Sequence, residues 1–410
     1  MRPEGKKLMH FLLEELKPKG PLFTKFNLIT APIILVGLAL ILFRFLKGLG
    51  AVTNLSQEFP WGLWIAFDVM TGVPWAGGAY CVCFLVYIMR AEKYKPILRA
   101  AVLSGTLGYM FYAGALLLDL GRWWNCFNPF IGNKFGFQSA LWLVAIHFLL
   151  YTLAEVIEFS PTVAEWLGLR RLKALLHSIT LPVVIFGVTL STLHQAGLGA
   201  LTLMAKDKIH PLWWTEFAPI LFFLQSLFGG LSMLILEGSI SHRVFAYRIP
   251  EEVHRTHPEV LLGLAKGCAG VLFVYLFLKV LLFVHVYGWL YLGSGMGAWY
   301  LVELLGFGFL PFVLFWSGVR KLDLKKIKVA APLAMAGVAL NRFNYVFIAY
   351  NWYLPWGERY YPTWMEIWIT VTVVLLEVWV LRWVVNRMPV YALEEEEEAP
   401  FARFATRRTA

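Results

Sequence analysis

Charged side chains are scarce in this sequence. Asp, Glu, Lys and Arg make up 15% of its 410 residues, while hydrophobic residues make up 59%. A soluble protein of this length needs a charged surface and could not present so much apolar area to water. The scarcity of charge therefore excludes a soluble globular protein and indicates a protein of the lipid bilayer. The 18 Trp and 17 Tyr fit this interpretation, because amphipathic rings collect at the level of the lipid headgroups.

Cysteine is also scarce. Cys81 and Cys83 form a C-x-C pair inside an apolar run, Cys126 and Cys268 stand alone, and no set has the spacing of an iron–sulfur or zinc site. We therefore expect no metal centre in this chain, so that any electrons must arrive from metal centres of a partner. Of the nine His, only His147 is clearly deep in an apolar run, so a haem held by two His is not expected. The absence of a Walker motif argues against an ATP-driven pump.

The net charge of +10 is carried by basic residues in short segments between apolar runs. In a soluble domain such a charge would suggest nucleic acid as a partner. Here the basic residues are better explained as topology signals, and we expect no nucleic-acid partner. Residues 1–25 contain no short apolar stretch followed by a cleavage site, so a cleavable signal peptide is not expected either.

Ten apolar runs are long enough to cross about 30 Å of hydrocarbon, which takes roughly 20 residues each. In lipid each run must form a helix, because every backbone polar group needs a partner within its own segment. The sequence thus predicts an all-α integral membrane protein with about ten transmembrane helices. It comprises a cytoplasmic arm (1–26), a membrane domain (27–386) and a solvated cytoplasmic tail (387–410) that includes five consecutive Glu. The ten runs are 27–46, 61–89, 98–120, 137–159, 174–193, 213–240, 260–286, 298–319, 329–350 and 364–385.

Lys and Arg are distributed unevenly among the connecting segments. Most lie in the N-terminal arm, in segments 90–99, 170–173, 243–255 and 320–328, and in the tail. By the positive-inside rule these segments and both termini are cytoplasmic. The alternate connections, rich in Trp and Tyr, then face the periplasm of a bacterium, as interfacial anchors or as a platform for a docked subunit. These connections and the helix ends next to them together contain few basic residues, which are Arg44, Lys47, Arg122, Lys134, Lys206, Lys208 and Arg359.

The fourth apolar run carries a stripe of titratable residues. His147, Tyr151, Glu155 and Glu158 are spaced i, i+4, i+8 and i+11, so they share one helical face from mid-membrane to the cytoplasmic end. Ionisable groups at depth are costly and usually functional, and such a ladder with water could conduct protons. The alternative is that Glu155 and Glu158 already lie at the headgroups and that only His147 is buried.

A second polar group is predicted near the periplasmic surface. Asp119 and Arg122 are spaced i, i+3 at the end of the third run and could pair, either to orient a quinone headgroup or to cap the helix. His194 and Asp68 lie at comparable depth on two other runs. Quinone reduction takes two electrons and two protons, and it needs such donors within hydrogen-bond reach of each carbonyl oxygen. We interpret this group as a quinone site, although an isolated buried His is more often structural.

Further ionisable residues lie inside the later runs. Glu237 falls near the cytoplasmic end of the sixth run. Lys279, Glu303 and Arg342 fall in the periplasmic half of runs seven to nine, where we expect them to neutralise one another as a structural network. Glu366 and Glu377 share a face of the last run.

The sequence resembles the NrfD/PsrC family of quinone-interacting membrane subunits, and within it the HybB-like type. The likeness covers nearly the whole chain, and the matching stretches keep their order. These stretches are 59–68 (FPWGLWIAFD), Arg99 through Gly108 and Tyr109 to 119–122 (DLGR), 194–195 (HQ), 210–213 (HPLW), 237–239 (EGS) and 362–364 (PTW).

This resemblance implies more than composition does. Two four-helix bundles would form the core with flanking helices, without haem or an iron–sulfur cluster in the chain. A periplasmic, ferredoxin-like iron–sulfur subunit would dock, and menaquinone or ubiquinone would bind near that face. Carried over by position, Arg99, Tyr109 and Glu237 would take part in proton transfer, and the quinone-proximal cluster would contain Asp119, Arg122 and His194. The chain would then be a subunit of an oxidoreductase complex without independent activity.

One position departs from the HybB-like pattern. Leu143 stands where that type has a Glu in the fourth span, and His147 follows one turn later on the same face. This favours a sister complex, a menaquinone reductase of the Qrc type that receives electrons from multihaem cytochrome c. The further redox subunits would then be multihaem cytochrome c, molybdopterin-like or hydrogenase subunits. Two other classes stay open: a secondary transporter, which should show inverted repeats and paired broken helices, and a non-redox membrane anchor.

Overall fold

A computed structural model describes residues 10–11, 13–131 and 137–392, and Lys134 and Glu394–Glu398 therefore lie outside the described residues. The described residues form ten long helices and no β-sheet, with one isolated antiparallel bridge between Ile209 and Tyr350. The long helices are α1 (Lys25–Lys47), α2 (Ile65–Ile88), α3 (Lys95–Asp119), α4 (Ala140–Trp166), α5 (Arg170–Leu201), α6 (Ala218–Val244), α7 (Glu251–His285), α8 (Gly295–Arg320), α9 (Leu324–Phe343) and α10 (Trp364–Val385). Short helical turns lie between them, at Leu49–Ala51, Glu92–Tyr94, Trp123–Asn125, Asn128–Ile131, Thr202–Ala205, Ala246–Arg248, Gly288–Tyr291 and Trp356–Glu358.

Nine of these helices are long and apolar enough to cross a membrane, counted over the described residues. The tenth, α9, begins with a basic stretch that includes Lys325 and Lys326 and is less apolar. It lies inside the protein nevertheless, where Ala330, Ala331 and Ala334 are fully buried. The prediction of an all-α membrane protein with about ten spanning helices is confirmed.

The helices pack as two four-helix bundles. In the first, α2 to α5 each contact the next helix, and α5 closes the ring against α2. In the second, α6 to α9 do the same, and α9 packs back on α6. The bundles meet where α6 contacts α2 and α5, while α1 and α10 pack on each other and on α3 outside the first bundle. The two bundles and the flanking helices that the resemblance implied are thus present.

Glycines set the closest approaches between these layers. A Cβ on Gly230 of α6 would lie 2.3 Å from the backbone nitrogen of Gly78 in α2, so the two bundles touch backbone to backbone there. A Cβ on Gly37 of α1 would lie 1.8 Å from Oγ1 of Thr372, which lets α1 approach α10. Small residues at helix interfaces are the usual means of packing in membranes, because lipid supplies no hydrophobic drive between helices.

Four stretches of these helices widen to π-helical geometry: Ile65–Gly72 and Phe84–Ile88 in α2, Val302–Phe309 in α8, and Asn344–Ile348 at the end of α9. Such segments disturb the i→i−4 ladder and often mark functional positions. Asp68 and Glu303 both lie in them. The carbonyl oxygen of Met70, in the first segment, accepts a hydrogen bond from Nε of Arg342 at 3.0 Å, which ties the second bundle to the first.

The two ends of the helices differ in composition. We call the end with connections 89–94, 167–169, 245–250 and 321–323 the basic face. The other end, with connections 48–64, 120–139, 202–217, 286–294 and 349–363, is the aromatic face. The predicted tail begins as ordered chain on the basic face, where Nε of Arg387 donates to the Glu15 carbonyl at 2.6 Å. Met388, Val390 and Tyr391 are buried there, so this part of the tail belongs to the membrane domain's surface rather than to solvent.

Candidate functional site

The predicted stripe on α4 lies inside the first bundle. Glu155 is 0% exposed and Tyr151 is 1% exposed, and the Tyr151 hydroxyl donates a short hydrogen bond to Glu155. The Glu158 carboxylate lies close enough to Glu155 for their charges to interact, and it accepts from the thiol of Cys83 at 3.5 Å. Glu155 is therefore a buried carboxyl inside the bundle, which contradicts the part of the alternative in which only His147 is buried; its level relative to the lipid headgroups stays a prediction.

Tyr109 of α3 extends this stripe toward α5. Its ring lies 4.5 Å from the ring of Tyr151, and its hydroxyl accepts from Nε2 of Gln195 at 3.5 Å. One turn before it on α3, the Thr106 hydroxyl lies 3.4 Å from Oε2 of Glu155. Thr106 was not singled out from the sequence, although its spacing from Tyr109 places both on the side of α3 that faces α4.

His147 and His194 lie at the far end of this buried stripe, beyond Tyr151 and Tyr109. Nδ1 of His194 lies 3.2 Å from the carbonyl oxygen of Val144, which requires a proton on Nδ1 and leaves Nε2 as an acceptor. The His194 ring lies 5.3 Å from Phe148, and its charge would be felt by His147. We call Glu158, Glu155, Tyr151, Tyr109, His194 and His147 the first-bundle line.

A small cavity opens onto this line from the basic face. It has a volume of about 30 Å³ and is lined by residues that include Glu158, Arg99 and His177. A cavity of about 10–15 Å³ is enough to hold one water molecule. Arg99 lies at the edge of this cavity and is fixed there by two contacts. Its Nη2 pairs with Glu165 at 3.0 Å, and its Nη1 donates to the Pro389 carbonyl at 3.0 Å. Water in this cavity would contact Glu158 directly.

Asp68 and Asp119 form a second group in the aromatic half, between α2, α3 and the flanking helices. Asp68 is 1% exposed, and it lies close enough to Asp119 for their charges to interact. One carboxylate oxygen of each, Oδ1, has no hydrogen-bond partner among the described residues. His194 is not part of this group, because it faces α4 on the other side of α3, so the structure divides the predicted quinone cluster into two.

The expected pair of Asp119 with Arg122 does not form. Helix α3 ends at Asp119 and Leu120 is extended, so the i, i+3 geometry of a helix does not exist there. Arg122 is exposed, and Asp119 is instead close enough to Arg44 of α1 for their charges to interact. Arg44 is 1% exposed and caps α3 by donating to the carbonyls of Leu118 at 2.7 Å and Leu120 at 2.5 Å.

Glu366 lies beside this group as a structural residue. It forms a capping box with Thr363 at the start of α10, where its Oε2 accepts from the Thr363 backbone at 2.8 Å. Its other oxygen accepts from the Tyr360 hydroxyl. Its Oε2 also accepts from the backbone of Asn54 at 3.4 Å, so Glu366 holds the start of α10 against the connection before α2.

Glu237 lies apart from Arg99 and Tyr109, with which the resemblance groups it. Both of its carboxylate oxygens are 2.6 Å from Oγ of Ser104, on the side of α3 that faces α6 and α10. It is close enough to Glu377 for the two charges to interact. Glu377 had been noted only for sharing a face with Glu366.

The second bundle contains its own polar network, but its three charged groups do not pair directly. Glu303 accepts from Trp213 at 2.6 Å, from Asn341 at 2.6 Å and from Asn344 at 2.5 Å. Asn341 in turn accepts from Nη1 of Arg342 at 3.2 Å. Lys279 lies over the ring of Tyr300 at 4.8 Å. These contacts fit the expected structural network, in which asparagine side chains bridge Glu303 to Arg342 while Lys279 lies against an aromatic ring.

His210, on the aromatic face, is packed among aromatic rings. Its ring lies 4.6 Å from Trp352 and 5.1 Å from Tyr291. Nδ1 accepts from the backbone of Leu212 at 3.2 Å. Burial in this apolar setting lowers the pKa of His210 to about 4, so it is neutral near pH 7.

No set of three or more His, Cys, Asp or Glu side chains in the described ranges is placed to hold a metal ion.

Residues 51–353 match the family described as polysulphide reductase, NrfD. A protein of Nitratidesulfovibrio vulgaris is 41% identical over 369 residues, which cover 90% of this chain and 95% of the relative. The probable Ni/Fe-hydrogenase 2 b-type cytochrome subunit of Escherichia coli is 28% identical over 374 residues, 90% of this chain and 93% of the relative. The integral membrane subunit of a menaquinone reductase from N. vulgaris is 27% identical over 394 residues, 85% and 87% of the two chains. With most of its length matched, the chain belongs to the NrfD polysulphide reductase family of integral membrane proteins.

Proposed function

We propose that this chain is the quinone-binding membrane subunit of a bacterial inner-membrane respiratory complex. In this proposal the aromatic face is periplasmic and docks an iron–sulfur subunit, which passes electrons to menaquinone from a cytochrome c or a hydrogenase. The basic face and both termini are then cytoplasmic. The relatives named as menaquinone reductase and hydrogenase subunits support a redox complex over a transporter or an anchor.

The observation that carries the proposal is the first-bundle line. A buried carboxyl at Glu155 has no structural partner charge, and it is joined to Tyr151 on one side and to Glu158 and a water-sized cavity on the other. An anchor for a soluble enzyme has no need of ionisable groups at this depth, where they are costly. A line of groups that can each accept and release a proton suits a reaction that consumes protons inside a membrane protein.

The quinone headgroup is proposed to lie beside Asp68 and Asp119. Each carboxyl has one buried oxygen with no partner among the described residues, which a headgroup would satisfy, and Asp119 as a residue is partly exposed at the aromatic face. His194 is then a member of the first-bundle line rather than a headgroup ligand. Arg122, exposed at the surface, is proposed to contribute to the docking face of the partner.

A transporter fits the helices less well. Its substrate site is expected between paired discontinuous helices. Here α2 and α8 widen to π-helical geometry at Asp68 and Glu303, yet each continues as a helix on both sides of that segment.

The test is quinone binding by the complex purified from its native membranes through a tag on this chain. We would titrate the fluorescent menaquinol analogue 2-heptyl-4-hydroxyquinoline N-oxide and measure quenching, with iron analysis of the same preparation. We expect saturable binding, bound iron, and binding weakened by Asp119→Asn by about tenfold, the equivalent of one hydrogen bond to a charged group. Glu216→Gln is the matched control, because Glu216 is exposed at the same face and pairs only with His285. Absence of saturable binding and of iron would refute the proposal.

A further inference from the structure

Helix α3 carries polar residues on two different sides. At 3.6 residues per turn, Ser104, Gly108, Tyr112 and Asp119 fall on one side, while Thr106 and Tyr109 fall on another. The side with Thr106 and Tyr109 faces α4 and belongs to the first-bundle line. The other side faces α6 and α10, and it meets ionisable groups that the first-bundle line does not use.

A second cavity opens onto this side of α3 from the basic face. It measures about 30 Å³ and is lined by Glu237, Ser241, His242, His257 and Tyr391. That volume has room for about two water molecules. The rings of His242 and His257 stack at 3.5 Å. In the part of the chain that the structure describes, Nε2 of His242 and both ring nitrogens of His257 have no hydrogen-bond partner. The His254 ring lies 4.8 Å from that of His242, and Lys328 is close enough for its charge to act on His257.

Glu237, at the inner end of this cavity, is placed to hold a proton. The Ser104 hydroxyl lies 2.6 Å from both oxygens of Glu237 and 3.1 Å from the carbonyl oxygen of Ala100. A serine hydroxyl has one hydrogen. When that hydrogen goes to the Ala100 carbonyl, the contact at 2.6 Å must be supplied by a hydrogen on Glu237. The geometry thus accommodates both the protonated and the ionised carboxyl.

Glu377 continues from Glu237 toward the aromatic half. It reaches α3 at Gly108, where a Cβ would lie 3.8 Å from its Oε1, and it forms a hydrogen bond with Tyr112 one turn further along. Gly72 of α2 makes room for the Tyr112 ring, because a Cβ there would lie 2.3 Å from it. Tyr112 is therefore held between Glu377 and the segment of α2 that carries Asp68.

Asp68 closes the series. It is close enough to both Glu377 and Asp119 for their charges to interact, and it is buried with one oxygen unpartnered. The ionisable groups from the cavity to the proposed quinone site are thus Glu237, Glu377, Tyr112 and Asp68; Glu377 forms a hydrogen bond with Tyr112 and is close enough to Glu237 and Asp68 for their charges to interact.

We propose that these residues form a second proton line, which enters between His242, His257 and Tyr391 and ends at Asp68 beside the quinone. The inference rests on the proposed function and extends it. Reduction of one quinone to quinol takes two electrons from the iron–sulfur partner and two protons. Each transfer along the line moves a proton from one carboxyl to the next and restores the first from water at the basic face, so one proton is delivered per passage. The first-bundle line supplies the other proton.

The test uses the purified complex with a soluble naphthoquinone, 2,3-dimethyl-1,4-naphthoquinone, as acceptor and dithionite-reduced benzyl viologen as donor. We expect Glu377→Gln to lower the rate of quinone reduction by about 100-fold, the lower end of what a positioned proton-transfer group contributes. Binding of the fluorescent quinol analogue should stay within about twofold of wild type. Tyr112→Phe should act in the same direction, and Glu377→Asp should recover part of the rate, because it can still be protonated.

The control variant Glu216→Gln and the wild-type complex separate this inference from the proposed function. Glu216→Gln should leave both the rate and the binding unchanged. If the wild-type complex binds and reduces quinone while Glu377→Gln and Tyr112→Phe keep its full rate, the second line is refuted and the proposed function stands. If the wild-type complex neither binds nor reduces quinone, the proposed function itself fails. Should Glu377→Gln not assemble, which the binding measurement reveals, Tyr112→Phe decides alone.

Discussion

Glu155→Gln removes the central proton carrier of the first-bundle line with little change in shape. The amide fills the same space and can still accept the hydrogen bond from Tyr151, so the fold of the bundle should be preserved. The substitution abolishes only the ability to take up and release a proton. Positioned proton-transfer groups contribute about 100-fold or more to rate, so we expect quinone reduction to fall by about that factor.

The same variant should leave quinone binding intact. Glu155 lies about 22 Å along α4 from Ala140 at the aromatic end, at a rise of 1.5 Å per residue. The replacement of one carboxyl by an amide at that distance should change the affinity for the quinol analogue by no more than about twofold. A joint loss of rate and affinity would instead indicate a distorted bundle.

The assay is quinone reduction by the purified complex, with binding of the quinol analogue measured on the same sample. Tyr151→Phe is the companion variant, because it keeps the ring contact with Tyr109 at 4.5 Å and removes only the hydroxyl. An unchanged rate in Glu155→Gln, with binding also unchanged, would refute the first-bundle line.

Three further predictions concern stability, each measured as the thermal unfolding midpoint in detergent. Glu303→Ala leaves three buried donors without an acceptor and should cost about 3 kcal/mol or more, while Glu303→Gln should lose less; equal midpoints would contradict the network. His210 is neutral in the folded protein down to a pH of about 4 but titrates near 6.5 when unfolded. The unfolded state therefore binds more protons between these values, so stability should fall as pH drops from 6.5 toward 4, and the fall should be shallower in His210→Phe. Gly230→Ala places a methyl group against the backbone of Gly78 and should lower the midpoint, whereas Gly114→Ala, at an open position on α3, should not.

Much of the fold followed from the apolar runs alone. Ten runs predicted ten helices, because in lipid length and hydropathy leave few alternatives. Helix α9 was correctly placed despite its basic start, since its apolar part is still long. The burial of Glu155 and Tyr151 followed from their spacing on one face of α4. The bundle arrangement came only from the family resemblance, because hydropathy does not say which helices touch.

The contacts between distant segments could not be read from spacing. Asp119 was expected to pair with Arg122, but the helix ends between them, and the nearby guanidinium is that of Arg44 on α1. The comparable depth of Asp68, Asp119 and His194 stays a prediction, and depth alone did not reveal that His194 contacts α4 while Asp68 and Asp119 interact with each other. The spacing of Ser104, Gly108 and Tyr112 shows that they share one side of α3. The role of Glu377 beside them becomes visible only once α10, which carries Glu377, is known to pack on that side.

The positions of the two lines also bear on energy conservation. If the aromatic face is periplasmic, electrons enter from one side and protons from the other, so quinone reduction separates charge across the membrane. A complex that took its protons at the aromatic face would conserve no energy at this step. The buried carboxyls of both lines would then have no role that offsets their cost in the membrane.

The measurement that tests this account most directly is the side from which the protons come. The complex would be reconstituted into liposomes with the aromatic face outward and the pH dye pyranine trapped inside, and reduced benzyl viologen would be added outside with menaquinone in the bilayer. The account predicts that the interior becomes alkaline as quinone is reduced, that an uncoupler abolishes the signal, and that Glu155→Gln slows it. Quinone reduction at full rate without internal alkalinisation would contradict it.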